Sequence, residues 1–214
     1  MTITMTTPMR AATTETLNRI VDLGERAISV LLFLILVANV LPHILTQPLN
    51  AMILVSEGLV AGFMVFRRQA ITVSMRPLDW IVALIGTIAP MMVRAGGHWM
   101  ASPQIILVLF LCGLMLSIWG KLTLRRGFGL AAAIRGVVAT GAFGFLRHPI
   151  YAGYVLTYIA FMLLNPIGWN LGVYAVALIA MVMRIRAEER ILAGNPAYAA
   201  YMTRVRYRLI PGVF

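Results

Sequence analysis

Six apolar stretches separated by short polar segments dominate the chain. They lie at 28–45, 49–66, 78–93, 103–122, 150–164 and 171–183. A helix needs about 20 residues to cross the hydrocarbon core of a bilayer, and the first, second and fourth stretches come close to that length. The pattern predicts an all-α integral membrane bundle with about six transmembrane segments.

The last two stretches are short and meet at "NPIGWN", residues 165–170. They predict a short helical hairpin, which either crosses the membrane fully or enters it only in part. Beyond Met183 the composition becomes charged, so residues 184–193 are expected to continue the last helix outside the bilayer. Gly194 is expected to end that helix, and Asn195 with Pro196 is expected to begin a further C-terminal helix in the cytoplasm.

Composition supports a membrane protein over a soluble one. Hydrophobic residues make up 61% of the 214 residues and charged residues only 12%, whereas soluble domains are about 25% charged. The single cysteine, Cys112, excludes an internal disulfide and a cysteine-based metal cluster. No metal site is expected.

The net charge of +11 is a topology signal. Of the 18 lysines and arginines, 17 fall in alternate segments on one side of the predicted bundle, and Arg94 alone falls on the other. Cytoplasmic segments carry the excess of basic residues, so both termini are expected in the cytoplasm. Because this alternation accounts for the charge, we expect membrane lipid as a partner and no nucleic acid.

Three groups of polar residues occur in the last third of the chain. They are Arg147, His148 and Tyr151; Glu188 and Glu189 with Arg184, Arg186 and Arg190; and Tyr198, Tyr201 and Arg204. If the hairpin folds back on itself, Tyr151 lies close to the extension of the second arm. The three groups then line one pocket at the cytoplasmic membrane surface.

Each of these residues also has a structural explanation. Arg147 is placed to anchor a helix end, and His148 precedes a proline and suits a helix cap. The two glutamates suit pairing with arginines three and four positions earlier on the same helix, and the tyrosines suit the membrane interface. The grouping of all of them favours the pocket.

Glu57 lies in the middle of the second apolar stretch. A carboxylate there costs roughly 2.5–3.5 kcal/mol on insertion scales, so it is expected to face a partner or a cavity. It either lines a substrate cavity or makes an interhelical hydrogen bond, with Gly58 and Gly62 permitting close packing. Both interpretations stay open.

The segment from Arg126 onward resembles the isoprenylcysteine carboxyl methyltransferase family, which is related to phospholipid methyltransferases. The upstream half is similar to bacterial members of that family through "LVSEGLVAGFMVFRR" and "RPLDWIVALIGTIAP". The matching motifs occur in family order: "RGFG", "RGVVATGAFGFLRHPIYAG", "NPIG", "RAEER" and "YAAYMTRVRYRLIP". In one departure, Ser117 stands near the place of a family arginine that helps hold the acceptor, and Arg125 or Lys121 is positioned to substitute for it.

The resemblance implies S-adenosylmethionine as methyl donor and an acceptor that is hydrophobic or lipid-like, either a prenylcysteine-like carboxylate or a lipid amine. Hydropathy and charge predict an N-terminal cytoplasmic segment at 1–25 and the first four transmembrane helices at 26–125, and the resemblance implies a methyltransferase-like cofactor-binding region at 126–214. The implied cofactor-binding residues are Arg147, His148, Tyr151, Gly153, Glu188 and Glu189, and the implied catalytic residues are Arg186 and Glu189.

Two other functions compete with methyl transfer. Membrane sterol reductases that use NADPH carry a similar R-H-P-N-Y motif, although Ile150 replaces the asparagine here. A non-enzymatic lipid-binding bundle has only the hydropathy in its favour. The expected location is the inner membrane of a bacterium.

Overall fold

A computed structural model describes residues 7–66, 72–73, 76–124, 133–134 and 138–214, with side chains from Asp22 onward except in the two short strands. These residues form seven α-helices and a two-residue antiparallel pairing of Thr72–Val73 with Ala133–Ile134. The helices are α1 (Thr7–Val40), α2 (Ala51–Phe66), α3 (Pro77–Met91), α4 (Pro103–Leu124), α5 (Pro149–Leu164), α6 (Gly168–Leu192) and α7 (Pro196–Arg204).

Helix starts follow local sequence chemistry. Proline opens α3, α4, α5 and α7. The backbone N–H at the first position of a helix has no acceptor within the helix, so proline, which lacks an N–H, loses no hydrogen bond there, and its fixed φ suits the helix. The side chain of Asn195 accepts a hydrogen bond from the Ala197 amide at 2.9 Å. The predicted cap and start of the C-terminal helix are therefore confirmed.

Four helical segments are long and apolar enough to cross a membrane: Asp22–His43, Pro48–Phe66, Pro103–Leu124 and Gly168–Leu192. Two more apolar helices, Pro77–Met91 and Pro149–Leu164, are shorter. Large apolar side chains on these helices, such as Leu34, Val108 and Ile179, point outward and are exposed, as lipid contact requires. An all-α integral membrane bundle is confirmed, while the number of six crossings stays a prediction.

The helices pack in pairs. Helix α4 lies along α5, α3 lies along α6, and α1 packs against α2, whereas the consecutive helices α5 and α6 touch only lightly. Helices α4 and α5 lie close together because Gly113 of α4 faces Gly153 of α5. A Cβ on Gly153 would lie 2.5 Å from the carbonyl oxygen of Gly113. The two arms of the hairpin are thus splayed, each held by a different neighbour.

Buried asparagine side chains form hydrogen bonds between segments at one end of the bundle. The Asn165 Nδ2 donates to Asn50 Oδ1 at 2.8 Å, and the Gly96 amide donates to Asn165 Oδ1 at 2.7 Å. Asn170 exchanges two hydrogen bonds with the backbone of Arg94, at 2.8 and 2.9 Å. Because these buried groups satisfy one another, they fix the turn between α5 and α6 to the start of α2 and the segment after α3.

Candidate functional site

The start of α5 and the last turns of α6 meet at the end opposite the buried amides. The Tyr151 hydroxyl donates to Glu188 Oε1 at 2.6 Å, and His148 Nδ1 lies 3.7 Å from Glu188 Oε2. The predicted closeness of Tyr151 to the extension of the second arm is confirmed. His148 occupies the N-cap position of α5, yet its side chain makes no cap bond and stacks on Tyr151 with ring centroids 5.7 Å apart.

Glu189 lies at the centre of a group of cationic and donor side chains. Its Oε1 is 3.2 Å from Arg147 Nη1 and 3.2 Å from His148 Nε2. Its Oε2 accepts from Nε and Nη2 of Arg208 at 2.9 and 2.8 Å. Glu189 is buried, so these contacts replace the water that its charge would otherwise need. We call Arg147, His148, Tyr151, Glu188, Glu189 and Arg208 the polar cluster.

Arg208 reaches the cluster through the C-terminal segment. The amides of Arg147 and His148 donate to the carbonyls of Tyr207 and Arg208, each at 2.9 Å. The amides of residues 208–210 all donate to the carbonyl oxygen of Phe214, at 2.8–3.0 Å. The C-terminal segment is thus bound to the start of α5, and it carries a residue that sequence analysis did not assign to the site.

Tyr198 and Tyr201 of α7 are buried. The Tyr201 hydroxyl donates to the carbonyl of Phe143 at 2.7 Å. Burial raises the pKa of Tyr201 to about 12, so its phenol remains a neutral donor at physiological pH. These tyrosines hold α7 against the turn that precedes α5, a buried role that differs from the interfacial alternative.

Two residues implied by the resemblance lie outside the polar cluster. Arg186 is exposed on α6, and within the described ranges no hydrogen bond or ion pair joins it to His148, Glu188 or Glu189. Gly153 is buried in the contact of α5 with α4. Arg125 and the "RGFG" motif at 126–129 lie outside the described residues.

A small cavity that opens to the outside adjoins the polar cluster. Its walls come from α2, α3, α5 and α6, and they include Glu57, Tyr151, Tyr154, Tyr158 and Arg184. Tyr151 belongs both to this wall and to the polar cluster, and the Arg184 guanidinium lies 5.5 Å from the centroid of its ring. The charged cluster and the largely aromatic cavity are therefore continuous.

Glu57 lines this cavity, and the interpretation that the cavity takes the substrate stays a prediction. Lys121 of α4 is fully buried nearby, with Nζ 5.0 Å from the ring centroid of Tyr154 and 5.9 Å from that of Phe63. A charged group in a bilayer costs roughly 2.5–3.5 kcal/mol on insertion scales, so a carboxylate in the wall of this cavity indicates a function.

The described residues form a helical membrane bundle with a charged cluster at one end of a largely apolar cavity. Residues 105–194 match the isoprenylcysteine carboxyl methyltransferase (ICMT) family. This range covers most of α4 and all of α5 and α6, with five of the six residues of the polar cluster. The match agrees with the resemblance and indicates a membrane methyltransferase domain in this part of the chain. No curated protein matches the chain.

Proposed function

We propose that the protein transfers the methyl group of S-adenosylmethionine to a small hydrophobic or lipid-like acceptor at the membrane surface. The observation that carries this proposal is the continuity of the polar cluster with the aromatic cavity through Tyr151. One compartment suits a charged donor and the other an apolar acceptor. The family match supports the methyltransferase and gives the sterol reductase and the lipid-binding bundle no support.

The residues of the polar cluster fit this cofactor by their chemistry. S-adenosylmethionine presents a carboxylate and, on its ammonium and ribose, several donors. Arg147 Nε is buried and has no hydrogen-bond partner among the described residues, so it is free to donate to a carboxylate. Glu188 is partly exposed, with 22% of its side-chain surface accessible, and is able to accept from an ammonium or a hydroxyl.

When bound, S-adenosylmethionine supplies an electrophilic methyl group on a sulfonium. The chain's own residues have to hold the two reactants in line and exclude water, which together provide most of the rate enhancement for such a transfer. The C-terminal segment contributes Arg208 to the cluster. We retain Arg186 and Glu189 as the catalytic residues that the resemblance implies, and add Arg184 as a residue that faces the acceptor cavity.

Ligand binding tests the proposal most directly. S-adenosylhomocysteine should stabilise the purified protein against thermal unfolding, because a ligand that binds only the folded state raises its stability. NADPH at the same concentration should leave the unfolding temperature unchanged. Stabilisation by NADPH alone would favour the reductase, and the absence of any effect of S-adenosylhomocysteine would contradict the methyltransferase proposal.

Loss of the Tyr151 hydroxyl should weaken cofactor binding. Tyr151→Phe removes the hydrogen bond that orients Glu188, and a bond to a charged group is worth about 1.5–3 kcal/mol, so the affinity for S-adenosylhomocysteine should fall about tenfold or more. The matched control is Tyr174→Phe, because the buried Tyr174 hydroxyl has no hydrogen-bond partner in the described part of the chain. Calorimetry on both variants that gave equal affinities would exclude Tyr151 from the site.

We also propose an inner-membrane protein of a bacterium, with six crossings and both termini in the cytoplasm, on the strength of the alternating arginines. In a Cys112→Ser background, cysteines placed at His98 and Gly168 should react with an impermeant maleimide added to intact cells. A cysteine at Gly194 should react only after permeabilisation. The reverse labelling pattern would show that the orientation is wrong.

A further inference from the structure

The C-terminal segment, residues 205–214, exposes apolar side chains although it belongs to no membrane-spanning helix. Tyr207, Ile210 and Val213 are exposed, Val213 by 79%, whereas Leu209 between them is buried and anchors the segment. Exposed apolar groups that are gathered in one place usually mark a site of interaction. The surroundings and the charge of the segment indicate what covers these side chains.

The segment lies beside the aromatic residues near the end of α4. Trp119 and Phe145 are both exposed, with ring centroids 6.0 Å apart. An exposed tryptophan near the end of a membrane-spanning helix is typical of the interface between the hydrocarbon and the head groups. Phe145 lies two residues before Arg147, whose amide donates to the carbonyl of Tyr207 at 2.9 Å. Tyr207 is therefore held close to the depth of this interface.

The backbone of the segment satisfies most of its own polar groups. The amides of residues 208–210 donate to the Phe214 carbonyl, and those of Val213 and Phe214 donate to the carbonyl of Ile210 at 3.1 Å. Pro211 has no amide hydrogen. A segment that enters the interface gives up water from its backbone, and internal hydrogen bonds replace that water. The local fold of the segment therefore suits contact with lipid.

The charge of the segment and of α7 before it is wholly positive. Residues 196–214 contain three arginines and no acidic residue. Arg208 is paired within the polar cluster, whereas Arg204 and Arg206 are exposed and form no ion pair with any described residue. Arg204 Nη2 donates to the carbonyl of Ala139 at 3.5 Å, which leaves its charge unpaired. Two such guanidinium groups next to apolar side chains match anionic lipid head groups.

The segment also contacts the polar cluster. The carbonyl of Arg206 accepts a hydrogen bond from Arg147 Nη2 at 3.1 Å, and the guanidinium of Arg208 binds Glu189. A ligand that fixes the position of the segment therefore also fixes two side chains of the cluster. Two ligands that stabilise the same arrangement of a protein raise each other's affinity.

We propose that the exposed arginines and apolar side chains of this region bind anionic lipid of the protein's own membrane: Arg204, Arg206, Tyr207, Ile210 and Val213. The arginines contact lipid phosphates, and the apolar side chains enter the layer below the head groups. Anionic lipid on this surface strengthens cofactor binding at the polar cluster. This consequence rests on the proposed function, whereas the lipid surface itself does not.

Contact with lipid is measured without the cofactor. In a Cys112→Ser background, Val213→Cys carries a nitrobenzoxadiazole fluorophore, and the protein is placed in nanodiscs of phosphatidylcholine mixed with phosphatidylglycerol. A nitroxide on the acyl chain of only one of these lipids quenches the fluorophore where that lipid is in contact. Phosphatidylglycerol should quench more strongly, because one basic residue near an anionic surface favours binding about fivefold. Equal quenching by both lipids, or quenching by neither, would overturn the proposal.

The effect on the cofactor is measured as a ratio of affinities. Calorimetry gives the affinity for S-adenosylhomocysteine in phosphatidylglycerol nanodiscs and in phosphatidylcholine nanodiscs, and the wild type should bind about fivefold or more tightly in the former. The double variant with Arg204→Gln and Arg206→Gln should lose this difference. Because the ratio is taken within each variant, a general loss of affinity cancels. A double variant that keeps the ratio of the wild type would contradict the role of the two arginines.

The matched control is Arg94→Gln. Arg94 is also exposed, but it lies at the opposite end of the bundle, where its guanidinium is 4.6 Å from the ring centroid of Trp169. This variant should keep the ratio of the wild type. Loss of the ratio in this control as well as in the double variant would mean that any exposed arginine has the effect, and the C-terminal segment would then have no special role.

The two measurements separate this inference from the proposed function. If S-adenosylhomocysteine binds in neither type of nanodisc, the proposed function is wrong, and the quenching still decides whether the segment binds anionic lipid. If the cofactor binds equally well in both types of nanodisc while phosphatidylglycerol quenches more strongly, the link between the lipid surface and the polar cluster is wrong.

Discussion

Glu189→Gln should nearly abolish cofactor binding. Glutamine keeps the size of the side chain, but it removes the charge on which Arg147, His148 and Arg208 converge and turns an amide nitrogen toward one of them. Removing one partner from a buried charged group costs about 3–5 kcal/mol. If most of that energy orients the cofactor site, the affinity for S-adenosylhomocysteine should fall more than about a hundredfold, as measured by calorimetry.

The matched control for this variant is Asp79→Asn. Asp79 is also buried and also paired with an arginine of α6, Arg190, the residue next to Glu189. Its loss should lower the thermal stability without changing the affinity for S-adenosylhomocysteine, because Asp79 lies outside the polar cluster. Equal losses of affinity in both variants would mean that any damage to the ion pairs of α6 has this effect, and Glu189 would then have no special role.

Most of the polar cluster could be predicted because hydropathy and charge together determine how deep in the membrane each residue lies. His148 and Tyr151 at the start of one apolar helix, and Glu188 at the end of the next, have to lie at the same membrane surface if the helices are antiparallel. Arg208 could not be predicted in this way. It follows α7 in an irregular segment, and it reaches Glu189 because backbone pairing binds residues 207–208 to residues 147–148.

The same reasoning explains which parts of the fold were predicted. The starts and ends of α2 to α5 agree with the apolar stretches within two residues, because the length of an apolar stretch corresponds to the length of the helix that lies in the membrane. Helix α1 begins at Thr7, far before the predicted start at residue 28. Hydropathy identifies the membrane-embedded part of a helix, but it gives no information about charged turns that continue beyond the membrane.

The packing partners of the helices could not be predicted. A helix that is apolar on all sides offers no stripe to show which face meets protein and which meets lipid. Residues 150–164 and 171–183 predicted a hairpin, and hairpin arms usually pack on each other. Instead α5 packs on α4 and α6 on α3, and the space between the splayed arms becomes the cavity that Glu57 lines.

Gly153 shows how a motif and a structure assign different roles to one residue. The resemblance implies that it belongs to the cofactor site, since it lies in the same motif as His148 and Tyr151. In the structure it faces α4, where a Cβ would lie 2.5 Å from the carbonyl oxygen of Gly113 and 2.8 Å from the Ser117 amide nitrogen. These neighbours are backbone atoms, so they cannot move aside as a flexible side chain would.

Gly153→Ala should therefore destabilise the bundle by forcing α4 and α5 apart. Overpacking of this kind costs about 1–3 kcal/mol, and for a chain of this size each kcal/mol lowers the unfolding temperature by roughly 2–4 °C. The control is Gly172→Ala on α6, where a Cβ would meet nothing within 4 Å, and its unfolding temperature should equal that of the wild type or exceed it slightly. The two variants should be compared by thermal unfolding in the same detergent, and their affinity for S-adenosylhomocysteine should be measured at a temperature where both are folded. If Gly153→Ala unfolds like the wild type but loses the cofactor, the glycine approaches the cofactor directly, and its contact with Gly113 is incidental to its role.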